Sequence, residues 1–234
     1  MLWPLLKILT HSGHGSRKEC ERLIRRRKVE VLGEVCFDPK KKFEIENLTY
    51  KIDDSEFTFK EFVYLALNKP KGYECSHSPS HHKSVFELVP ENFLNRGVKA
   101  CGRLDVDTTG LLLFTDDGKF NSNIMSPKKK LPKTYHVTLK HEIDDQLVQK
   151  LLDGVYLNDE PDVLVQAIEA EKLEACLLKL KIAEGKYHQV KRMVAACSNR
   201  VEGLHREEIG LLNLKSLGLS EGGIAEVSKE KVLG

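Results

Sequence analysis

No two cysteines in this chain are spaced as CxxC. Cys20, Cys36, Cys75, Cys101, Cys176 and Cys197 are scattered along the 234 residues. That spread favours reduced, mostly packed thiols over a disulfide framework or a zinc site. No apolar run approaches the ~18 residues of a membrane span, so a membrane partner is not expected. The opening MLWPLLKILTHSG is apolar but lacks a basic n-region and a small-residue cleavage site, so it is not read as a signal peptide. The expected compartment is the cytoplasm. No internal repeat and no Gly/Ser-rich linker divides the chain. Its length nonetheless allows two modest domains.

Net charge is also small, +2 in total, but its distribution is uneven. The first 42 residues hold eleven Lys or Arg against five Asp or Glu, a surplus of +6, which leaves the remainder at −4. A small basic module joined to a roughly balanced larger one suggests a nucleic-acid grip attached to another activity. A solvated basic face is the plainer alternative.

The basic surplus has a local organisation. Ser16-Arg17-Lys18-Glu19 is a capping-box sequence, in which Ser16 accepts from the Glu19 amide and Glu19 reaches back. It predicts a helix from Arg17 to about Lys28. Cys20, Leu23 and Ile24 form its narrow apolar stripe. Lys18, Arg22 and Arg25 gather on the other side, with Arg26 adjacent. Val29-Glu30-Val31 then alternates as a strand, Gly33 marks a turn, and Val35 lies in the return strand. The run GHGSRKECERLIRRRKVEVLGEVCFDPKKK resembles the S4 RNA-binding module, although Leu32 stands where an Asn commonly precedes the turn glycine. Within it Ser16, Arg17, Lys18, Arg22, Arg25 and Arg26 are the expected RNA-binding residues. Such arginines position phosphates and carry no sequence information. The boundary is expected in the polar stretch DDSEFTFKEF, giving domains of 1–61 and 62–234.

Beyond it the pattern is that of an α+β domain. Val63 to Leu67 reads as a buried strand, stopped by the turn Asn68 to Gly72. Leu111 to Phe114 reads as a strand, and Lys119 to Met125 as a short helix ended by Pro127. Lys133 to Leu139 alternates, with Tyr135, Val137 and Leu139 on one face. Leu147 to Leu152 looks helical, and Val163–Ile168 and Cys176–Ile182 look like strands. Gly185 to Met193 opens a further helix with Val190, Met193, Val194 and Cys197 as its apolar stripe. His77, His81 and His82 share a Ser/Pro-rich loop, but no Cys or acid completes a metal site there.

Three residues are candidates for chemistry, each with a plainer structural alternative. In GRLDVDTTGLLLFTDDG, Asp105 sits at the rim of a buried strand with a cation two residues away, which suits a nucleophile or a charge anchor. Tyr135 lies at the outer end of an apolar face, open at a cleft or satisfied in the core. Lys191, beside a buried stripe at a helix start and three residues from His188, suits a carboxylate or anion partner. Arg192 points further round, away from the core.

Together LNKPKG, GRLDVDTTGLLLFTDDG, KTYHV and EGKYHQVKRM, followed by Gly203-Leu204-His205-Arg206, resemble the RsuA branch of bacterial ribosomal RNA pseudouridine synthases. The HQVKRM and GLHR versions look more like the small-subunit enzyme. The resemblance implies an S4-like α/β domain followed by a catalytic domain with a mixed, mainly antiparallel sheet flanked by helices. It implies a cofactor-free isomerisation without metal, in which the uracil–ribose C–N bond breaks, the base rotates and a C–C bond forms. Asp105 would be the nucleophile, Tyr135 the stacking residue, Lys191 the partner of the aspartate and Arg103 the residue that fills or holds the RNA stack. Leu104, His188, Arg192 and Arg206 fall in the matching motifs and are assigned to substrate binding. The implied partner is ribosomal RNA, free or in an assembly intermediate, and the protein a monomer.

A nearby cation is what such a carboxylate needs, because desolvation alone would raise its pKa and quench it. Extruding the base costs a few kcal/mol. Remote phosphate contacts of the basic module can offset that cost. Two rivals remain. Asp105-Val106-Asp107-Thr108-Thr109 fits the DxDxT loop of Mg-dependent haloacid-dehalogenase-type phosphatases, though Ala100 to Leu104 is a poor preceding strand. A non-catalytic RNA-binding or ribosome-assembly protein is the other.

Overall fold

A computed structural model describes all residues except 127, 128, 130, 158 and 159, together with the side chain of residue 161. The expected helix stop at Pro127 therefore lies outside the described residues. The chain divides into two compact units. Residues 1–63, 89–99 and 115–117 form the first, and residues 64–88, 100–114 and 118–234 form the second.

In the first unit β1 (Leu2–Pro4) leads into α1 (Leu5–His11), and α2 (Arg17–Arg25) follows. Then come β2 (Val29–Val31), β3 (Glu34–Cys36), β4 (Lys42–Glu44), β5 (Thr49–Ile52) and β6 (Ser55–Thr58). The sheet order is β3-β2-β5-β6, and β1 pairs separately with β4. Leu5, Ile8 and Leu9 of α1 pack with Cys20 and Ile24 of α2 and with Val29, Val31 and Tyr50 of the sheet, all buried. The capping box is present: Ser16 Oγ accepts from Glu19 N at 3.4 Å, and Glu19 Oε2 accepts from Ser16 N at 2.8 Å.

The basic helix ends earlier than the expected Lys28. Arg27 adopts a left-handed backbone (φ 56), Lys28 N donates to Leu23 O and Arg27 N to Ile24 O. This is a Schellman closure, which ends an α-helix after Arg25. The β2–β3 hairpin that follows has a two-residue turn, with both Leu32 (φ 53) and Gly33 (φ 83) left-handed. Both signs are those a type I′ turn demands. Leu32 adopts this conformation without the side-chain help an Asn would give, and it is left exposed.

A helix from later in the chain, α3 (Glu91–Arg96), belongs to this unit. Its Arg96 forms a buried ion pair with Asp116 at 2.7 Å, and the same guanidinium donates to the oxygens of Lys60 and Glu61. The second carboxylate oxygen of Asp116 accepts from Val63 N at 2.8 Å. Both carboxylate oxygens of Asp116, and Nε and Nη2 of Arg96, thus have interior partners, which offsets the cost of burying the charges.

The second unit is organised on a nine-stranded mixed sheet. Its strands are β7 (Tyr64–Lys69), β10 (Lys99–Ala100), β11 (Thr109–Thr115), β12 (Lys133–Leu139), β15 (Glu169–Glu174), β16 (Leu177–Ile182), β17 (Val201–Ile209), β18 (Leu212–Asn213) and β19 (Ile224–Glu226). Two short pairs lie outside it: β8 (Tyr73–Glu74) with β9 (Lys83–Ser84), and β13 (Val155–Leu157) with β14 (Glu160–Val165). The main order is β15-β16-β12-β17-β11-β7-β19, with β10 beside β11 and β18 beside β17. Neighbours are antiparallel at β15/β16, β16/β12, β12/β17 and β7/β19, and parallel at β11/β17. Helices α4 (Gly118–Met125), α5 (Asp145–Asp153), α6 (Gln189–Ala196) and α7 (Glu230–Leu233) accompany the sheet.

Burial on both faces makes β11 an uninterrupted apolar run: Leu111, Leu112, Leu113 and Phe114 are at most 1% exposed. On β12 and β16 burial instead alternates, with Val137, Leu178 and Leu180 facing Met193 and Val194 of α6 in one core cluster. Gly110 is required where β11 meets β17. Its φ is 102, and a Cβ there would lie 2.3 Å from the main-chain oxygen of Arg206. Among the described residues, no helix is long and apolar enough to cross a membrane.

Candidate active site

Asp105 sits in the turn that feeds β11. Gly102 is left-handed (φ 91), and Leu104 turns inward with 8% exposure, its amide donating to Cys75 Sγ at 3.4 Å. Thr108 N then donates to Asp105 O at 3.1 Å and closes the turn. Beneath it lies Lys69, the last residue of β7, with no exposed surface. Its Nζ donates to the main-chain oxygens of Thr108 (2.8 Å), Asp105 (3.1 Å) and Pro70 (3.1 Å). Burial pulls the Lys69 pKa below its ordinary value, and the nearby charges of Cys75, Asp107 and Asp105 act the other way. Three acceptors on one ammonium fix the turn and leave the Asp105 side chain free to face outward.

From the opposite side comes α6. The sequence pattern started this helix at Gly185, but it begins at Gln189. His188 is left-handed (φ 47) and stands at the N-cap, so Gly185 to His188 form a loop and not a helical turn. Lys186 N donates to Gln189 Oε1 at 2.9 Å and Gln189 N to Lys186 O at 3.2 Å, which holds that loop. His188 and Lys191 therefore do not share a helix flank, yet both reach the aspartate. Lys191 Nζ is 3.0 Å from Asp105 Oδ2, and His188 Nε2 is 3.2 Å from Asp105 Oδ1. Each carboxylate oxygen has its own partner.

Lys191 is shared with a second acid, Asp107, at 2.8 Å. Burial lowers the pKa of this ammonium, but its hydrogen bonds to Asp107 and Asp105 outweigh burial and hold it above the ordinary lysine value. For Asp107 burial acts upward, and the hydrogen bond and charge of Lys191 reverse it, so the carboxyl lies below the usual range. The cation at this site is therefore locked on. It faces two carboxylates, only one of which, Asp105, lines the adjoining pocket.

That pocket is walled by Tyr135, Ile182, Val190 and Leu204, with Arg103, Asp105, His188 and Lys191 supplying polarity. Tyr135 is 7% exposed and packs in the core, so both readings of it meet in one residue: most of the ring is core, and its remaining face lines the pocket. The chemistry available is that of a carboxylate held between an ammonium and an imidazole, beside an aromatic and aliphatic slot. This suits nucleophilic attack on a ligand whose flat part lies in the slot.

The sequence profile of the RNA pseudouridylate synthase family matches residues 63–196, which include Asp105, Tyr135 and Lys191. The chain belongs to that family. It is 37% identical over 230 residues to a ribosomal small subunit pseudouridine synthase A of Vibrio vulnificus, covering 97% of this chain and 96% of the relative. With the protein of the same name from Yersinia pestis it shares 45% identity over 151 residues, or 64% of this chain and 63% of the relative. A crystal structure of a pseudouridylate synthase superposes with a TM-score of 0.68 at 33% identity, covering 98% of this chain and 97% of that one. Family membership removes the haloacid-dehalogenase and non-catalytic readings.

Within this pseudouridine synthase the residues singled out from sequence fall into three groups. Asp105, Tyr135, Lys191, His188, Arg103 and Leu104 meet at one pocket. Arg206 is 4% exposed, lies on β17, and lines a neighbouring cavity; its Nε donates to Leu111 O at 2.8 Å. Arg192 is bound elsewhere, to Glu160 Oε1 at 2.8 Å and Tyr187 O at 3.2 Å. In the first unit, Arg17, Lys18, Arg22, Arg25 and Arg26 are all exposed, and Arg25 is paired with Glu21 at 2.7 Å. Ser16 serves the cap.

Sequence reasoning missed two residues. Lys69 passed as one member of a turn, although its place directly after an apolar strand was a signal. Asp107, which stands out in the sequence only as part of a DxDxT match, shares the Lys191 ammonium.

Proposed function

We propose that this chain converts uridine to pseudouridine in ribosomal RNA, that of the small subunit, with Asp105 as the nucleophile and no cofactor. The observation that carries the proposal is the Asp105 carboxylate between Lys191 and His188 at the mouth of a slot walled by Tyr135. The target uridine is flipped from its stack, its base lying against Tyr135. Asp105 attacks C1′ of the ribose and the bond from C1′ to N1 breaks. The freed uracil turns so that C5 faces C1′, a C–C bond forms there, and the aspartate leaves. The proton on C5 is lost and N1 gains one, so nothing is oxidised or reduced and no group is transferred. Lys191, 3.0 Å from Asp105 Oδ2, orients the carboxylate for attack and receives it again on departure. Tyr135 stacks on the base and assists the proton transfer, while Arg103, Leu104, His188, Arg192 and Arg206 serve the surrounding strand.

In the first unit, the exposed basic face of α2, the capping box at Ser16 and the hairpin after it support an S4-type grip on RNA phosphates, with residues 1–61 as the RNA-binding domain and 62–234 as the catalytic one. The names of the relatives support the choice of small-subunit RNA. We take the protein to act as a monomer in the cytoplasm, on free RNA or on an assembly intermediate.

The test is incubation of the purified protein with unmodified RNA of each ribosomal subunit, free and in assembly intermediates. Pseudouridine is then mapped by carbodiimide-dependent stops in primer extension. One new stop in small-subunit RNA is expected, and none on either RNA would overturn the proposal.

A further inference from the structure

The loop that carries His188 also carries the most exposed Phe, Tyr or Trp among the described residues. Tyr187 is 71% exposed, against 64% for Phe37 and 60% for Tyr156. Its ring is nonetheless fixed in place. It stacks on the ring of His188, with centroids 3.8 Å apart and planes 22° from parallel. The main-chain oxygen of Tyr187 accepts from Arg192 Nη1 at 3.2 Å. Consecutive side chains of an extended chain point to opposite sides. Here the left-handed backbone of His188 (φ 47, ψ 31) brings two consecutive rings together. That conformation is uncommon for a residue with a side chain.

One side of the Tyr187 ring is covered by His188, whose Nε2 is 3.2 Å from Asp105 Oδ1. A single side chain thus separates an open aromatic surface from the reactive carboxylate. All three residues line one cleft, whose other charged groups are Arg103, Lys186 and Glu74. Lys186 is engaged by Glu160 at 3.1 Å, and the Glu74 carboxylate accepts from the amides of Ser80 and His81. The exposed Arg103 is left to meet a phosphate. Packing alone does not account for Tyr187. A ring whose only task was to steady His188 would gain by burying its second side as well. A flipped uridine, in contrast, leaves a gap in its own strand, and the base next to it loses a stacking partner. An aromatic ring beside the site can take that base, and such stacking is a common way to hold unpaired bases.

We propose that the open face of Tyr187 stacks on the base next to the target uridine, on one side of it only, and so holds the strand while the uridine enters the slot. The inference rests on Asp105 being the nucleophile of a uridine site. It adds a positioning residue for the RNA strand outside that site. Every base has a π face, so Tyr187 contributes affinity without reading sequence.

The experiment uses a fluorescein-labelled stem–loop RNA containing the uridine located by primer-extension mapping. Two further versions carry an abasic nucleotide immediately before or immediately after that uridine. Affinity for the whole protein is read by anisotropy, and single-turnover pseudouridine formation is followed in parallel. Wild type is expected to bind one of the two abasic RNAs about tenfold more weakly than the intact RNA. Tyr187→Ala, confirmed as folded by circular dichroism, should bind the intact RNA about tenfold more weakly and be indifferent to that abasic change. Its rate at saturating RNA should stay within about threefold of wild type. Tyr187→Phe keeps the ring and should behave as wild type. Equal wild-type affinities for all three RNAs overturn the inference. So does a Tyr187→Ala variant that still loses affinity on the abasic RNA, or one whose saturated rate falls while its affinity holds, which would make Tyr187 a support for His188 alone. Absence of pseudouridine from wild-type reactions on ribosomal RNA sinks the synthase proposal and this inference with it, whereas its presence without an abasic effect sinks only this one.

Discussion

The ammonium of Lys69 lies 3.1 Å from the main-chain oxygen of Asp105, inside a turn where the lysine has no exposed surface. A charge is thus buried to hold the backbone that carries the reactive carboxylate, and no side-chain acid pairs with it among the described residues. Lys69→Met keeps the length of the chain and removes the donor from three carbonyls. It should lower stability by about 2–4 kcal/mol in urea unfolding, and it should reduce kcat more than KM because Asp105 loses its fixed position. Unchanged stability would show that the three hydrogen bonds contribute nothing net.

Lys191 serves two carboxylates, and its worth depends on charge more than on shape. Lys191→Met should cost about 10²-fold or more in kcat, with RNA affinity little altered. Lys191→Arg retains the charge and should recover most of the loss, because a guanidinium fork can span both acids. Asp107→Asn leaves Lys191 to Asp105 alone and should change kcat by less than about tenfold, since one strong partner remains. A Met variant as active as wild type would remove Lys191 from the chemistry.

Replacing Arg22 and Arg25 by Ala tests the basic helix. The expected result is weaker RNA binding and a salt slope shallower by one to two, at roughly 0.7–0.9 per phosphate contact. Arg22 should contribute more than Arg25, which is already bridged to Glu21. An unchanged slope would assign these arginines to plain surface.

Lys133 makes stability depend on pH in a predictable direction. Its folded pKa of about 8 lies below the ordinary 10.5, so the unfolded chain holds this proton more tightly. Where the unfolded state binds more protons, stability rises with pH. The contribution of Lys133 is therefore unfavourable below pH 8 and is progressively relieved between about 8 and 10.5. Comparing urea midpoints of wild type and Lys133→Met at pH 7.5 and 10 isolates it from the other groups. The variant should gain on wild type at 7.5 and lose that advantage by 10. An identical difference at both pH values would contradict the shift.

Much of this was legible in the sequence because it was local. The capping box at Ser16, the alternation from Lys133 to Leu139 and the apolar run in β11 each follow from neighbours along the chain, and each element formed where its pattern lay. What could not be read was set by backbone conformation or by distant partners. Arg27 and His188 turn left-handed, ending one helix early and starting another late. Lys69 and Asp107 acquire their roles only when β7, the Asp105 turn and α6 converge. Asp116 meets Arg96 from twenty residues away, and no spacing rule announces that pair. At the site, the motifs brought Asp105, Tyr135 and Lys191 to notice, while the sharing of Lys191 between Asp105 and Asp107 became visible only in three dimensions.

The central claim is that one aspartate carries the reaction, and Asp105→Asn tests it most directly. The variant removes a charge, keeps the shape, and leaves Lys69 bound to the main chain. With ribosomal RNA as substrate and carbodiimide-dependent stops as readout, wild type should produce a stop that the variant never yields, even after prolonged incubation, while both bind the RNA with affinities within a few fold of each other. Pseudouridine formed by the variant at a rate near that of wild type would contradict the account.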